Sequence, residues 1–260
     1  MNAPRALDGK TMIVTGGNTG IGAAITLAAV RAGARVVLDY VVHPDLAAQI
    51  EQQAESGGAE AVTTVEADVS KITDLQRLVD TAVERYGRLD VLVNNAGIET
   101  RQSLLETTEE DYDKLMAINV KGPYFGSQLA AKQFLAQGGG GVVVNISSVH
   151  EDWPMAGNNA YCVSKGGMRM LTRNAAVELG PQGVRFVNVA PGAVDTPINK
   201  QTTSDAAKKK ALEDSIPLRR IATPEEIADV VVFAASDAAR YITGSTIFAD
   251  GAIMQSGPGL

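Results

Sequence analysis

Short, wholly apolar segments alternate with helix-like ones along almost the whole chain, and no other feature restricts the fold as much. Thr11-Met12-Ile13-Val14 is followed by a glycine turn, then by a helix from Ile21 to Ala32 that Gly33 stops. The same alternation predicts strands at Arg35–Leu38, Ala61–Glu66, Asp90–Val93, Val142–Ile146, Val184–Val189 and Thr246–Ala249. Between them it predicts helices at Leu46–Glu55, closed by Gly57-Gly58, at Ile72–Tyr86, closed by Gly87, and at Glu109–Gln137, Asn159–Leu179 and Pro224–Ala235. Strands that are apolar throughout need cover on both faces, which a parallel sheet between two helix layers provides. The crossovers should be right-handed. The expected fold is therefore α/β: a single-domain, doubly wound (Rossmann-type) parallel sheet of about seven strands with helices on both faces, over residues 1–260. Residues 195–222 interrupt the pattern with Pro197, Pro217 and a Lys-rich middle, and read as a mobile excursion placed to act as a substrate lid.

Composition narrows the partners. The 260 residues are 45% hydrophobic and 20% charged, with 23 Lys plus Arg against 30 Asp plus Glu, a net charge of −7. An acidic chain without a basic stripe argues against nucleic acid. Cys162 is the only cysteine, so no intrachain disulfide is possible, and two histidines with one cysteine speak against a metal site. No apolar run reaches the length of a membrane span, and Met1–Lys10 lacks a signal-peptide core. A small-molecule partner, no membrane and a cytoplasmic location are expected.

The first turn, Thr15-Gly16-Gly17-Asn18-Thr19-Gly20-Ile21-Gly22, lies between first strand and first helix. Glycines there let the backbone approach a pyrophosphate, and the helix N-terminus offers it N–H groups and a positive dipole end. An acid at the end of the second strand binds an adenosine ribose 2′-hydroxyl and repels a 2′-phosphate. Asp39 falls in that neighbourhood, and no Arg or Lys occurs from Val36 to Leu46, which favours NAD over NADP. Asp68-Val69 and Asn94-Asn95-Ala96-Gly97 end the third and fourth strands, on the carboxyl edge where ligands bind in such sheets. Ser148 ends the fifth strand on the same edge, and Pro191-Gly192 and Thr196 follow the sixth. Tyr161 and Lys165 share one helix face, where an ammonium near a phenol lowers its pKa and makes it a useful base. Alone, the pair is equally the mark of any helix surface.

Taken together, Thr15-Gly16-x-x-x-Gly20-Ile21-Gly22, Asn94-Asn95-Ala96-Gly97, Asn119, Ser148, Tyr161-x-x-x-Lys165 and Pro191-Gly192 resemble the classical short-chain dehydrogenases/reductases over nearly the whole chain. The resemblance implies an NAD(P)-dependent oxidoreductase in which Tyr161 is the acid/base and Lys165 lowers its pKa and binds the nicotinamide ribose. It implies that Ser148 orients the substrate oxygen and Asn119 holds a water in a proton relay. The cofactor would run over Gly16, Asn18, Thr19, Gly20, Ile21 and Gly22, past Asp39, Tyr40, Asp68, Val69, Asn95, Ala96 and Gly97. It would then reach Tyr161, Lys165, Pro191, Gly192, Val194 and Thr196. The family's usual acid for NAD selection falls nearer Tyr40 than Asp39.

Within that family, Ile98-Glu99, Ser147-Ser148-Val149-His150-Glu151, Thr196-Pro197-Ile198-Asn199 and Phe248-Ala249-Asp250-Gly251 look like the bacterial glucose 1-dehydrogenases. That likeness implies that Glu99, His150 and Asn199, with Ser148, line a pocket for the hydroxyls of a sugar or polyol. Asp152-Trp153-Pro154-Met155, with the only tryptophan, borders the pocket and fits a rival reading, a carbonyl reductase for a less polar ketone or 3-oxoacyl substrate. A third reading, a non-catalytic dinucleotide-binding regulator, needs only the glycine loop. The family likeness also implies a homotetramer.

Overall fold

The computed structural model describes residues 5–55, 61–199 and 203–256; the Gly57-Gly58 helix stop and positions 200–202 of the excursion lie outside these. Seven parallel strands form one sheet in the order β3-β2-β1-β4-β5-β6-β7. They are β1 (Thr11–Val14), β2 (Arg35–Tyr40), β3 (Val62–Glu66), β4 (Val91–Asn94), β5 (Gly141–Ile146), β6 (Val184–Pro191) and β7 (Ser245–Ala249). The order reverses between β1 and β4, which opens a crevice at their carboxyl ends.

Helices cover both faces because successive strand side chains alternate between two cores. Met12 and Val14 pack with Ile25 of α1 (Gly20–Arg31), Ile50 of α2 (Pro44–Glu55) and Ile227 of α8 (Pro224–Ala235). Ile13, between them, packs with Leu78 of α3 (Ile72–Tyr86) and Phe134 of α5 (Gly122–Ala136). Ala176 of α6 (Asn159–Leu179) joins that second core. Among the described residues, no helix is long and apolar enough to cross a membrane.

Two expected elements differ. The helix expected over Glu109–Gln137 is divided into α4 (Glu109–Met116), a wide π-type turn at Ala117–Lys121, and α5. Pro123 has no N–H to give the Asn119 carbonyl four residues back. Gly122 sits so close to Val69 that a Cβ would stand 2.9 Å from its carbonyl oxygen. The wide turn places Asn119 fully inside the protein. The 195–222 excursion is also more ordered than its composition suggests. It holds a 3₁₀ turn at Pro197–Asn199 and helix α7 (Ala206–Ser215), whose N-cap Asp205 accepts from the N–H groups of Ala207 and Lys208. A bridge between Val194 and Ala222 closes its base, and Ile216 and Ile221 pack on Val149 and Ile253.

Candidate active site

The glycine turn is shaped by its neighbours. Gly16 and Gly20 have φ of +61° and +51°, and a Cβ on Gly22 would strike the Gly16 carbonyl. The Asn95 side chain donates to the carbonyls of Thr15 (2.8 Å) and Gly16 (3.2 Å), and the Thr15 hydroxyl accepts from the N–H groups of Asn95 and Ala96. Helix α1 starts with no side-chain cap at Thr19 and no acid in its first turn. Its first N–H groups are therefore open to an anion, so a dinucleotide pyrophosphate fits here. Thr196 and Pro197 cross over Gly20, 3.6 and 3.5 Å from where a Cβ would stand. The Asn18 amide donates to the carbonyls of Val42 and His43, tying the turn after β2 to the loop.

Asp39 does not sit as expected. Because β2 continues to Tyr40, its carboxylate is inside the sheet, 1% exposed, and accepts the Gly16 N–H at 2.6 Å. Burial lifts its pKa to about 7 against the pull of that bond. Asp39 braces the glycine loop, and Tyr40 is the partly open residue at the strand end.

The second half of the cleft gathers at β5 and the start of α6. The Ser148 hydroxyl accepts the His150 N–H and lies near enough to the Tyr161 phenol to favour its ionised form. The His150 ring lies edge-on to Tyr161, centroids 6.3 Å apart, and stacks on Trp153 at 6.2 Å. Lys165 is buried, donates to the Ile146 carbonyl at 2.9 Å, and lies 5.5 Å from the centre of the Tyr161 ring. The expected lowering of the Tyr161 pKa is not what this arrangement produces. Burial pushes the phenol up to about 12, Ser148 pulling it back and the Glu99 charge adding to the rise. Burial likewise draws Lys165 down to about 8. Loss of water outweighs attraction between the two, since the ammonium points to a backbone carbonyl.

Glu99 accepts from the Asn158 amide at 2.7 Å and pairs with Arg101 at 3.2 Å. Asn119 clamps the loop after β4, exchanging hydrogen bonds with the N–H and carbonyl of Ile98 and donating to the Ser164 hydroxyl on α6. Asn199 turns its amide to the Val194 carbonyl, so its donor is engaged within its own loop. Asp68 accepts from Ser70, Val69 is buried under Gly122, and Gly192 is pressed against Asp250. Asn158 escaped the motif reading. It is 1% exposed, its side-chain Oδ1 has no hydrogen-bond partner among the described residues, and only its place three residues before Tyr161 would have marked it. Among the described residues, no group of three or more His, Cys, Asp or Glu is placed to hold a metal ion.

Comparison with known proteins identifies this assembly. A family model described as enoyl-(acyl carrier protein) reductase matches residues 16–253. The chain is 38% identical over 246 residues to glucose 1-dehydrogenase 2 of Bacillus subtilis, covering 94% of this chain and 95% of that one. It is 37% identical over 245 residues to 3beta-hydroxysteroid dehydrogenase 1 of Eggerthella lenta, covering 94% of each. A solved short-chain dehydrogenase/reductase from Serratia marcescens superposes with a TM-score of 0.88 at 34% identity, over 95% of this chain and 99% of that one. The chain belongs to the short-chain dehydrogenase/reductase family. It is an NAD(P)-dependent oxidoreductase acting on CH–OH groups. One sugar and one steroid relative stand at nearly equal identity, so overall likeness does not select the dehydrogenase's substrate; the pocket walls must.

Proposed function

We propose that this dehydrogenase oxidises a CH–OH group of a sugar or similar polyol, with NAD preferred. The observation that carries the reading is the convergence of Glu99 and His150, both hydrogen-bonding side chains, on the Tyr161–Ser148 pair. Hydroxyl-rich substrates need hydrogen-bonding side chains of this kind around the reacting carbon. Asn199 supports the pocket by fastening its loop, not by presenting its amide. The preference for NAD rests on the absence of Arg and Lys from Val36 to Leu46, with Tyr40 and exposed Val41 at the strand end.

In this reading Tyr161 acts in its ionised form: the phenolate Oη takes the proton of the carbinol and becomes the phenol, while Ser148 Oγ holds the same oxygen. Lys165 contributes positive charge beneath the phenol and donors for the nicotinamide ribose, and Asn119 fixes the loop that walls the site. The bound nicotinamide supplies the hydride acceptor. Gly16, Asn18, Thr19, Gly20, Ile21 and Gly22 hold the pyrophosphate end, and Asp68, Val69, Asn95, Ala96, Gly97, Pro191, Gly192, Val194 and Thr196 line the path between. We read 195–222 as the lid, since α7 buries none of its residues and the segment crosses Gly20. The reading includes a cytoplasmic homotetramer. Its support is a stripe of exposed apolar residues on α6, Val163, Met170 and Val177, seven apart and so on one face.

Initial rates on a panel of aldoses, polyols, cyclic alcohols and ketones with each nicotinamide cofactor test it. Aldose or polyol turnover with NAD is expected, and Tyr161→Phe should cut it roughly a hundred- to ten-thousand-fold while NADH still binds. Turnover confined to apolar alcohols would reject the sugar assignment, and an active Tyr161→Phe would reject the acid/base.

A further inference from the structure

Asn158 begins the catalytic helix and breaks two local rules at once. It is the N-cap of α6, where an asparagine side chain usually accepts from the N–H groups of the first turn, yet it makes no such bond. It is 1% exposed, and its Oδ1 has no hydrogen-bond partner among the described residues, although buried acceptors are normally satisfied. The amide nitrogen accounts for both. It donates to Glu99 Oε1 at 2.7 Å and to Met155 Sδ at 3.7 Å. A carboxylate only accepts, so the nitrogen end of the amide must face Glu99, and Oδ1 is turned away from it.

These two bonds join separate parts of the pocket wall to the helix that carries Tyr161. Glu99 belongs to the loop after β4, whose backbone Asn119 clamps one residue earlier, at Ile98. Met155 belongs to the segment that follows His150 and Trp153. The Asn158 backbone is itself fixed, its N–H bonding the Met155 carbonyl and its carbonyl accepting the Cys162 N–H, both at 3.1 Å. Arg101 holds Glu99 less firmly: its side chain is 41% exposed, so water and salt weaken that pair. A short side chain on a fixed backbone, three residues before the catalytic phenol, therefore sets where the Glu99 carboxylate stands. We propose that Asn158 is a positioning residue that fixes Glu99 as a hydroxyl acceptor of the pocket and so governs selectivity among alcohols. The inference rests on the proposed role of Glu99 toward substrate hydroxyls.

Asn158→Leu tests it, because it keeps the branched shape, removes the amide and leaves no unpaired acceptor. On the alcohol turned over best in the panel above, KM should rise about ten- to a hundredfold, the worth of a hydrogen bond to a charged group. The loss should fall on KM rather than kcat, with NADH affinity unchanged. Glu99→Ala should cost a similar amount, and the double variant no more than either, since Asn158 acts through Glu99. Losses that add would overturn the proposal. Asn158→Ser separates positioning from folding, because its hydroxyl suits a helix start and is one bond too short for Glu99. Its melting temperature should hold or rise while KM rises as in Asn158→Leu. A lower melting temperature with natural KM would make Asn158 a structural cap and reject the positioning role. The cycle can be run on any alcohol, so a best substrate that is not a sugar leaves it intact. A Glu99→Ala protein with natural KM would overturn the role given to Glu99 in the pocket. An impaired Glu99→Ala beside a natural Asn158→Leu would overturn the positioning role alone.

Discussion

Asp39 accepts a 2.6 Å bond from the Gly16 N–H, yet its pKa rises to about 7, while Tyr161 rises to about 12 and Lys165 falls to about 8. In all three, burial moves the group toward its neutral form. For Asp39 the sign of the stability effect follows directly. The folded state binds its proton more tightly than the unfolded state, so its contribution is full below the ordinary value of 3.8 and is lost as pH rises to about 7. Asp39→Asn cannot titrate and can still accept the Gly16 N–H. Its melting temperature relative to the natural protein should therefore climb between pH 4 and 7 and level off above. Thermal melts across that range check this, and a constant difference would show that Asp39 is not buried as described. The identity of Asp39 was plain in the sequence, but its inward turn was not, because one more residue of strand pairing decides which way the carboxylate faces.

At the level of elements, the helix boundaries were mostly legible, as Ile72–Tyr86, Asn159–Leu179 and Pro224–Ala235 show. Their cues are local: an apolar stripe, a glycine at the end or a proline at the start. The π-type turn at Ala117–Lys121 was not legible, although Gly122-Pro123 was its mark, since only the approach of Val69 explains why a bulge replaces a simple kink. The glycine loop was legible as a tight turn into helix α1, and the structure shows how little room it has. Gly22→Ala would drive a methyl into the Gly16 carbonyl and force the loop open. NADH affinity should fall by at least about tenfold, a loss of 1.4 kcal/mol, with the far-ultraviolet circular dichroism unchanged. Fluorescence titration measures it, and natural affinity in that variant would remove the loop from the cofactor site.

Across the whole molecule, the reversal of strand order between β1 and β4 brings residues from six loops to one edge of the sheet. The opposite side of the catalytic helix carries Val163, Met170 and Val177, the last 79% exposed. If this stripe joins subunits, Met170→Lys with Val177→Lys should split the assembly, as light scattering after size exclusion would show. An unchanged mass would exclude this face as an interface. By itself, the sequence determined the fold class, the glycine turn between the first strand and first helix and the order of the Ser148, Tyr161 and Lys165 motifs, because each depends on periodicity or on residues close along the chain. The tertiary structure decided the burial of Asp39, the direction in which burial moves Tyr161 and Lys165, and the engagement of Asn199. Those depend on which strands become neighbours and how much water they exclude, and neither is written in local spacing.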